Sequence, residues 1–312
     1  MQPQALSARL GAHFCLTFVK RADPAEALRR MGAYPDTLGV RETAAPFAAA
    51  VELGAWTVVI EPGGSLGADD PVLRAASRGS AAVTVLRNDD AEPFFGYAVD
   101  GTTVSAFNPG YPADEAMWGS DPGQLHHLLP AVGLREPAED DEGSWRLAVP
   151  RAILLAQKIT GTTVPPDVLA SPRLTARLEP WFVTGVQDRD LLRPTRRDPQ
   201  SAELVAAAEA APPEVQRAVA VSHLRRLAAT LGVAETPGLG DALDAAAHGQ
   251  AEPVTADSPL GRQIRAWLEA DQHRPFVIAL RGVLDPDPRV AILTAVRPLP
   301  HRDDALKAIG RL

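Results

Sequence analysis

Cysteine and lysine are the residues that this sequence uses least. Cys15 is the only cysteine among 312 residues, so an internal disulfide and any zinc site built from four cysteines are excluded. Only three of the 31 basic residues are lysine, at positions 20, 158 and 307. This bias toward arginine, with abundant Ala, Gly and Pro, is typical of a GC-rich bacterial genome and gives little support to arginine-mediated recognition.

Long apolar runs are also missing. No segment approaches the ~18 consecutive apolar residues that cross a bilayer, and residues 1–10 lack the apolar core of a signal peptide. Positive charge is in short supply as well, because the net charge is −8 and neither half of the chain is basic. We therefore expect a cytoplasmic protein that binds neither membranes nor nucleic acid.

The first half of the chain alternates apolar strands with helical segments. Asp100-Gly101 separates two alternating apolar runs, 94–99 and 102–107, which predicts a hairpin with a type I′ turn. Other strands are predicted in the apolar runs at 14–19, 57–61 and 82–86, and helices at about 24–31, 43–53, 71–78 and 122–132. These elements predict an α+β domain over 1–184, with helices packed on an antiparallel sheet of four or five strands.

Strand signals nearly vanish in the second half of the chain. Residues 185–198 are rich in Arg, Asp and Pro without periodicity, which indicates a linker. Apolar residues at steps of three and four, as in 213–231, predict a domain of about six helices over 199–312.

Several ordered blocks of the first half resemble a known family. They are Cys15–Val19, the segment Asp23-Pro24-Ala25-Glu26-Ala27-Leu28-Arg29-Arg30-Met31-Gly32, the segment Trp56-Thr57-Val58-Val59-Ile60-Glu61-Pro62-Gly63-Gly64, and the helical stretch 154–169. Over residues 1–180 the sequence resembles an uncharacterised actinobacterial family, known only as a domain of unknown function. The family usually has Glu-Pro-Asn-Gly where this chain has Glu61-Pro62-Gly63-Gly64, so Gly63 departs from the family pattern. The resemblance implies a modular boundary and an actinobacterial source, but no activity.

The sequence contains only weak patterns for a nucleophile, a metal site or a phosphate site. His13 and Cys15 share one face of a strand, but the apolar run around the cysteine predicts an inert buried thiol. The histidines lack the i, i+4 spacing of helical zinc ligands. The glycine-rich loop 63–67 lacks the Walker lysine and is followed by Asp69-Asp70, so a tight turn is expected. We predict no catalytic residue, no metal and no cofactor.

Acidic residues beside the strand ends leave an enzyme open as an alternative. Asp69, Asp70, Asp89, Asp90 and Glu92 lie in loops, and a pair of carboxylates could serve as general acid and base. The alternative enzyme would use loop acids around 61–70 and 87–92 at the edge of the sheet. Raised pKa values converging in one cleft would favour such an enzyme. A sensor that binds a small ligand in an apolar pocket is the third possibility.

Aromatic side chains give the leading prediction. Phe95, Tyr97, Tyr111 and Trp118 lie on or near the predicted hairpin, and aromatic residues anchor protein interfaces well. Phe94 and Phe95 are adjacent on a strand, so they face opposite sides of the sheet. The sequence therefore predicts a non-enzymatic interaction or regulatory module, such as an immunity or accessory protein, that binds a protein partner. The expected binding surface is these four aromatic residues, the helical domain, or the cleft between the two domains.

Overall fold

Two units make up the chain, Met1–Thr184 and Gly185–Leu312. The computed structural model of the protein describes residues 2–90, 92–135, 142–193 and 199–297, together with 306–307 and 309–310. The first unit combines an antiparallel sheet with helices, and the described residues of the second unit are helical over most of their length. The fold class is therefore α+β, as predicted.

Eight strands form the sheet of the first unit. They are β1 His13–Lys20, β2 Gly39–Arg41, β3 Phe47–Leu53, β4 Trp56–Pro62, β5 Ala81–Asn88, β6 Phe94–Val99, β7 Thr102–Phe107 and β8 Arg173–Arg177. Their order is β2-β8-β3-β4-β1-β5-β6-β7, and every neighbouring pair is antiparallel.

The prediction of four or five strands was wrong in number. The five predicted strands are β1, β4, β5, β6 and β7, whereas β2, β3 and β8 were not predicted. Residues 43–53 were expected to be helical, but β3 pairs with β4 on one side and β8 on the other. Alanine favours helices by itself, and pairing on both sides of the strand overrides that preference. β2 has three residues and β8 five, which is too short for a reliable periodicity.

Both faces of the sheet are covered. On β1, Phe14 and Phe18 face a core shared with three helices, α1 Gln2–Leu10, α4 Leu129–Val132 and α5 Glu142–Thr160. Val19 faces a second core, shared with α2 Pro24–Arg30 and α3 Asp70–Ser77. The sheet therefore has little solvent-facing area on its central strands.

Local signals place two of these elements. Asp100 and Gly101 have φ angles of 47° and 76°, which confirms the type I′ turn between β6 and β7. The Asp23 carboxylate accepts a hydrogen bond of 2.8 Å from the Glu26 N–H and thereby caps α2. The segment predicted as one helix over 122–132 is instead a 3-10 turn, Pro122–Leu125, followed by α4.

The second unit is built from six helices over its described residues. They are α6 Pro199–Ala210, α7 Pro213–Thr230, α8 Leu239–Ala247, α9 Pro259–Glu269, α10 Arg274–Val283 and α11 Pro288–Ala295. Arg217 of α7 is buried and donates hydrogen bonds to the carbonyl oxygens of Ala246, Asp285 and Pro286. This arginine therefore joins α7 to the end of α8 and to the loop between α10 and α11.

The predicted linker over 185–198 stays a prediction. Asp188–Asp190 forms a 3-10 helix, and the Leu192 N–H donates to the Leu293 carbonyl oxygen at 2.9 Å, while 194–198 lie outside the described residues. Among the described helices, none combines the length and the apolar character needed to cross a membrane.

Candidate functional site

Five aromatic side chains line one pocket at the β7 edge of the sheet. They are Phe94, Phe107, Tyr111, Trp118 and Trp145, and their cavity of 430 Å³ is here called the aromatic pocket. The exposed fraction is 36% for Tyr111, 44% for Trp118 and 49% for Trp145. These three are the exposed large aromatic residues of the described chain, so the exposed rings converge on a single place.

Backbone hydrogen bonds fix Tyr111 and Trp118 beside β7. Trp118 pairs with Ala106 through two hydrogen bonds of 2.8 and 3.0 Å, which extends the edge of the sheet by one bridge. The Tyr111 N–H donates to the Asn108 carbonyl oxygen at 2.9 Å in a tight turn. The rings of Phe94 and Trp118 then lie with centroids 6.4 Å apart.

Trp145 reaches the aromatic pocket from α5. Its ring lies directly against Gly110, where a Cβ atom would overlap the ring carbons. A glycine is therefore required at position 110 for the indole to close this side of the pocket. Gly110 and Trp145 are 35 positions apart in the sequence, so no local pattern predicts this contact.

The four predicted residues do not lie together. Tyr111 and Trp118 line the aromatic pocket, whereas Phe95 and Tyr97 do not. Phe95 is fully buried and stacks on Phe107 with centroids 5.0 Å apart, and burial raises the pKa of the half-buried Tyr97. Phe94, the neighbour of Phe95, is the ring of this pair that lines the pocket.

A second cavity adjoins the aromatic pocket. It measures 570 Å³ and shares Pro93 and Trp145 with its neighbour. Arg87 lines it, but both ends of its guanidinium fork are held by Asp89 at 2.8 and 2.9 Å. That hydrogen bond lowers the pKa of Asp89, and the arginine is correspondingly committed to an internal partner.

A buried polar cluster lies under the loop that follows β4. Cys15, Thr17, Glu61 and Thr84 come from three adjacent strands, β1, β4 and β5. The Cys15 sulfur lies 3.2 Å from the Thr84 hydroxyl, which in turn lies 3.2 Å from the Thr17 hydroxyl. Glu61 stands opposite Cys15 in the β1–β4 register and is 5% exposed.

The glycine-rich loop wraps the Glu61 carboxylate. The Leu66 N–H donates to Oε2 at 3.0 Å and the Gly67 N–H to Oε1 at 2.8 Å. Burial nevertheless raises the pKa of Glu61 to about 7, because these hydrogen bonds offset the loss of hydration only in part. The loop predicted as a tight turn therefore cradles an anion that belongs to the chain itself.

Cys15 has no access to solvent. Burial raises the pKa of its thiol, and the nearby Glu61 carboxylate raises it further. A thiolate is the reactive form of cysteine, so this environment opposes nucleophilic chemistry. The prediction of a buried thiol is confirmed, although its neighbours are polar rather than apolar.

The loop carboxylates have separate roles. Asp70 accepts a hydrogen bond from the Thr103 hydroxyl, Asp89 pairs with Arg87, and Glu92 lines the aromatic pocket. Within the described residues, no group of three or more His, Cys, Asp or Glu side chains could hold a metal ion.

A smaller pocket opens beside Glu61. It measures 270 Å³, and its walls come from 45–48, 61–64, Leu66 and Leu178. Glu61 is the one charged residue among the residues that line it. This cavity is called the Glu61 pocket below.

Comparison with known proteins finds a family match for the middle of the first unit. Residues 37–180 match a family of unknown function, DUF6461. The match contains Glu61 and all five aromatic rings of the aromatic pocket, but it begins after β1 and so leaves out Cys15. The predicted resemblance to an uncharacterised domain family is confirmed over these residues. No curated protein and no solved structure matches the chain.

Proposed function

We propose that this protein is a non-enzymatic cytoplasmic interaction module that binds a protein partner through the aromatic pocket. The observation that carries the proposal is the convergence of Tyr111, Trp118 and Trp145 on one cavity while they remain exposed. Rigid aromatic rings bury a large area at a small loss of conformational entropy, and they are enriched among the residues that dominate binding energy.

The charge around the pocket favours a cationic anchor on the partner. Glu92 lines the aromatic pocket, and the Tyr111 hydroxyl donates to the Glu115 carboxylate at 3.3 Å. A cation above an indole face is attracted by the ring quadrupole, and a neighbouring carboxylate adds to that attraction. The occupant we propose is therefore an arginine or lysine side chain in an apolar segment of the partner.

A displayed library of random peptides tests this assignment and does not require the partner to be identified first. We expect the full-length protein to enrich peptides in which a basic residue stands beside apolar ones. Replacing that basic residue by glutamine in the peptide, or Trp118 by alanine in the protein, should weaken binding by roughly tenfold or more, which corresponds to about 1.4 kcal/mol.

Val99→Ala is the matched control for Trp118→Ala. Val99 is an exposed hydrophobic residue of β6 that does not line the pocket, so its truncation should leave binding unchanged. Equal loss in both variants, or full binding by a Trp118→Ala protein with an unchanged thermal melt, would refute the aromatic pocket as the binding site. Enriched peptides without basic residues would refute the cationic anchor.

A further inference from the structure

The Glu61 pocket combines apolar walls with one buried carboxylate. Pro46, Phe47, Leu66 and Leu178 supply the apolar surface, and Glu61 supplies the charge. Its volume of 270 Å³ lies just below the range of about 300–1,000 Å³ in which drug-sized ligands bind. The cavity therefore suits a small molecule with an apolar body and one polar end.

Glu61 has no cationic partner among the described residues. Its hydrogen-bond donors are the backbone N–H groups of Leu66 and Gly67 and the Cys15 thiol. Buried carboxylates are normally paired with a positive charge, because an unpaired charge away from water is costly. The ionised form of Glu61 therefore has no counter-charge in this site.

Gly64 packs closely against the Glu61 side chain at the edge of the pocket. A Cβ atom at Gly64 would lie 3.0 Å from Glu61 Oε2 and 2.9 Å from Glu61 Cβ. Gly64 has no positive φ angle, so its small size matters here rather than its backbone freedom. Gly64 and Glu61 both line the pocket, so Glu61 borders the cavity beside this glycine.

We propose that the Glu61 pocket binds a small organic amine, with its ammonium group on the Glu61 carboxylate and its hydrocarbon part against Phe47 and Leu178. This site is separate from the aromatic pocket, so it is independent of the function proposed above. An ammonium group supplies the missing positive charge and donates to lone pairs that Leu66 and Gly67 leave free.

Binding should be linked to the ionisation of Glu61. The ionisable groups that act on this carboxyl are Cys15 on β1 and Asp69 at the start of α3. A bound cation favours the carboxylate form, so it should lower the pKa of Glu61 from its value of about 7 in the free protein. Affinity for the amine should accordingly rise as the pH increases through 7.

Isothermal titration of the full-length protein with benzylamine, set against benzyl alcohol, tests the proposal. We expect saturable binding of the amine and at least tenfold weaker binding of the alcohol, with the amine affinity rising from pH 6 to pH 8, a window of roughly one unit either side of the folded pKa. The carboxyl carbon resonance of Glu61 should titrate at a lower pH when the amine is present. Equal affinity for the two compounds, or no binding of benzylamine, would overturn the proposal.

Two variants locate the binding. Glu61→Gln keeps the size of the side chain and removes its charge, so amine binding should fall at least tenfold. Ala48→Val narrows the pocket without changing the carboxylate, so it should weaken the binding of the amine and of the alcohol by the same factor. Unchanged amine affinity in a folded Glu61→Gln protein would show that the amine binds elsewhere. If Glu61→Gln does not fold, the carboxyl titration of the unaltered protein decides the matter by itself.

Discussion

The Gly67 N–H donates to Glu61 Oε1 over 2.8 Å, and this bond closes a ring of the chain between β4 and α3. The same glycine lies over the β1–β5 side of the cluster, because a Cβ there would overlap the Thr17 hydroxyl. Glu61 therefore anchors the loop by hydrogen bonding, and Thr17 limits how closely the loop approaches the sheet. The arrangement requires a carboxylate at position 61 and a glycine six residues later, at position 67.

The raised pKa of Glu61 makes the stability of the first unit depend on pH. Between pH 4.5 and 7 the unfolded chain has lost the Glu61 proton whereas the folded chain retains it. Stability then falls as the pH rises, by about 1.4 kcal/mol per pH unit and about 3 kcal/mol in total. Glu61→Gln has no such titration, so its stability relative to the unaltered protein should increase across this window.

Urea unfolding followed by the circular dichroism of the sheet measures the effect, since the strands all belong to the first unit over the described residues. Glu52→Gln is the control, because Glu52 is exposed on β3. A constant difference between the Glu61→Gln variant and the unaltered protein from pH 4.5 to pH 7 would contradict the buried, raised pKa.

Gly67→Ala should destabilise the first unit by about 1–3 kcal/mol. The added methyl group would collide with Thr17 Oγ1 and lie 3.1 Å from the Cys15 sulfur, and overpacked buried sites carry a penalty of this size. Thr17→Ala should recover part of that loss in the double variant, a coupling that a double-mutant cycle measures.

Gly123→Ala is the matched control for Gly67→Ala. Gly123 belongs to the same unit and has no positive φ angle, and its Cβ would lie 3.5 Å from the His126 ring and 4.0 Å from Asp121 Oδ1, which are ordinary van der Waals distances. We expect a change within about 0.5 kcal/mol there. Additive effects of Gly67→Ala and Thr17→Ala would show that the two residues do not meet in this way.

Much of the fold follows from local signals in the sequence. The Asp100-Gly101 turn, the Asp23 cap and the apolar runs of β1, β4 and β5 each carry a pattern that acts within a few residues. β3 does not, because its alanines favour a helix until β4 and β8 pair with it. Long-range pairing decides such segments, and a single sequence does not display it.

The candidate sites were harder to predict for the same reason. Tyr111 and Trp118 could be picked out as aromatic residues near the hairpin, but Phe94 and Phe95 differ only in which face of β6 they occupy. Trp145 joins the pocket through its contact with Gly110, far away in the sequence. Glu61 is the last but one residue of a strand, a position that is usually half exposed, and only the returning loop buries it.

Gly110→Ala should open the aromatic pocket without removing a ring. The methyl group would take the space of the Trp145 indole, so the ring must move away and become more exposed. We expect stronger acrylamide quenching of tryptophan fluorescence in this variant and a loss of peptide binding similar to that of Trp145→Ala. Introducing Gly110→Ala into a Trp145→Phe background isolates the indole, because the extra quenching should then disappear. Unchanged quenching and binding would place Trp145 elsewhere.

Cys15 should resist alkylation as long as the first unit stays folded. Its sulfur lies among Thr17, Thr84 and Glu61, and burial together with the neighbouring carboxylate raises the pKa of the thiol. Reaction then requires the sheet to open, so labelling by iodoacetamide should be slower than in urea by on the order of a thousandfold or more. Mass spectrometry after timed quenching follows this single thiol directly. Labelling of the native protein at the rate of free glutathione would instead show that the thiol is accessible to solvent in the folded protein, which would contradict the buried position of Cys15.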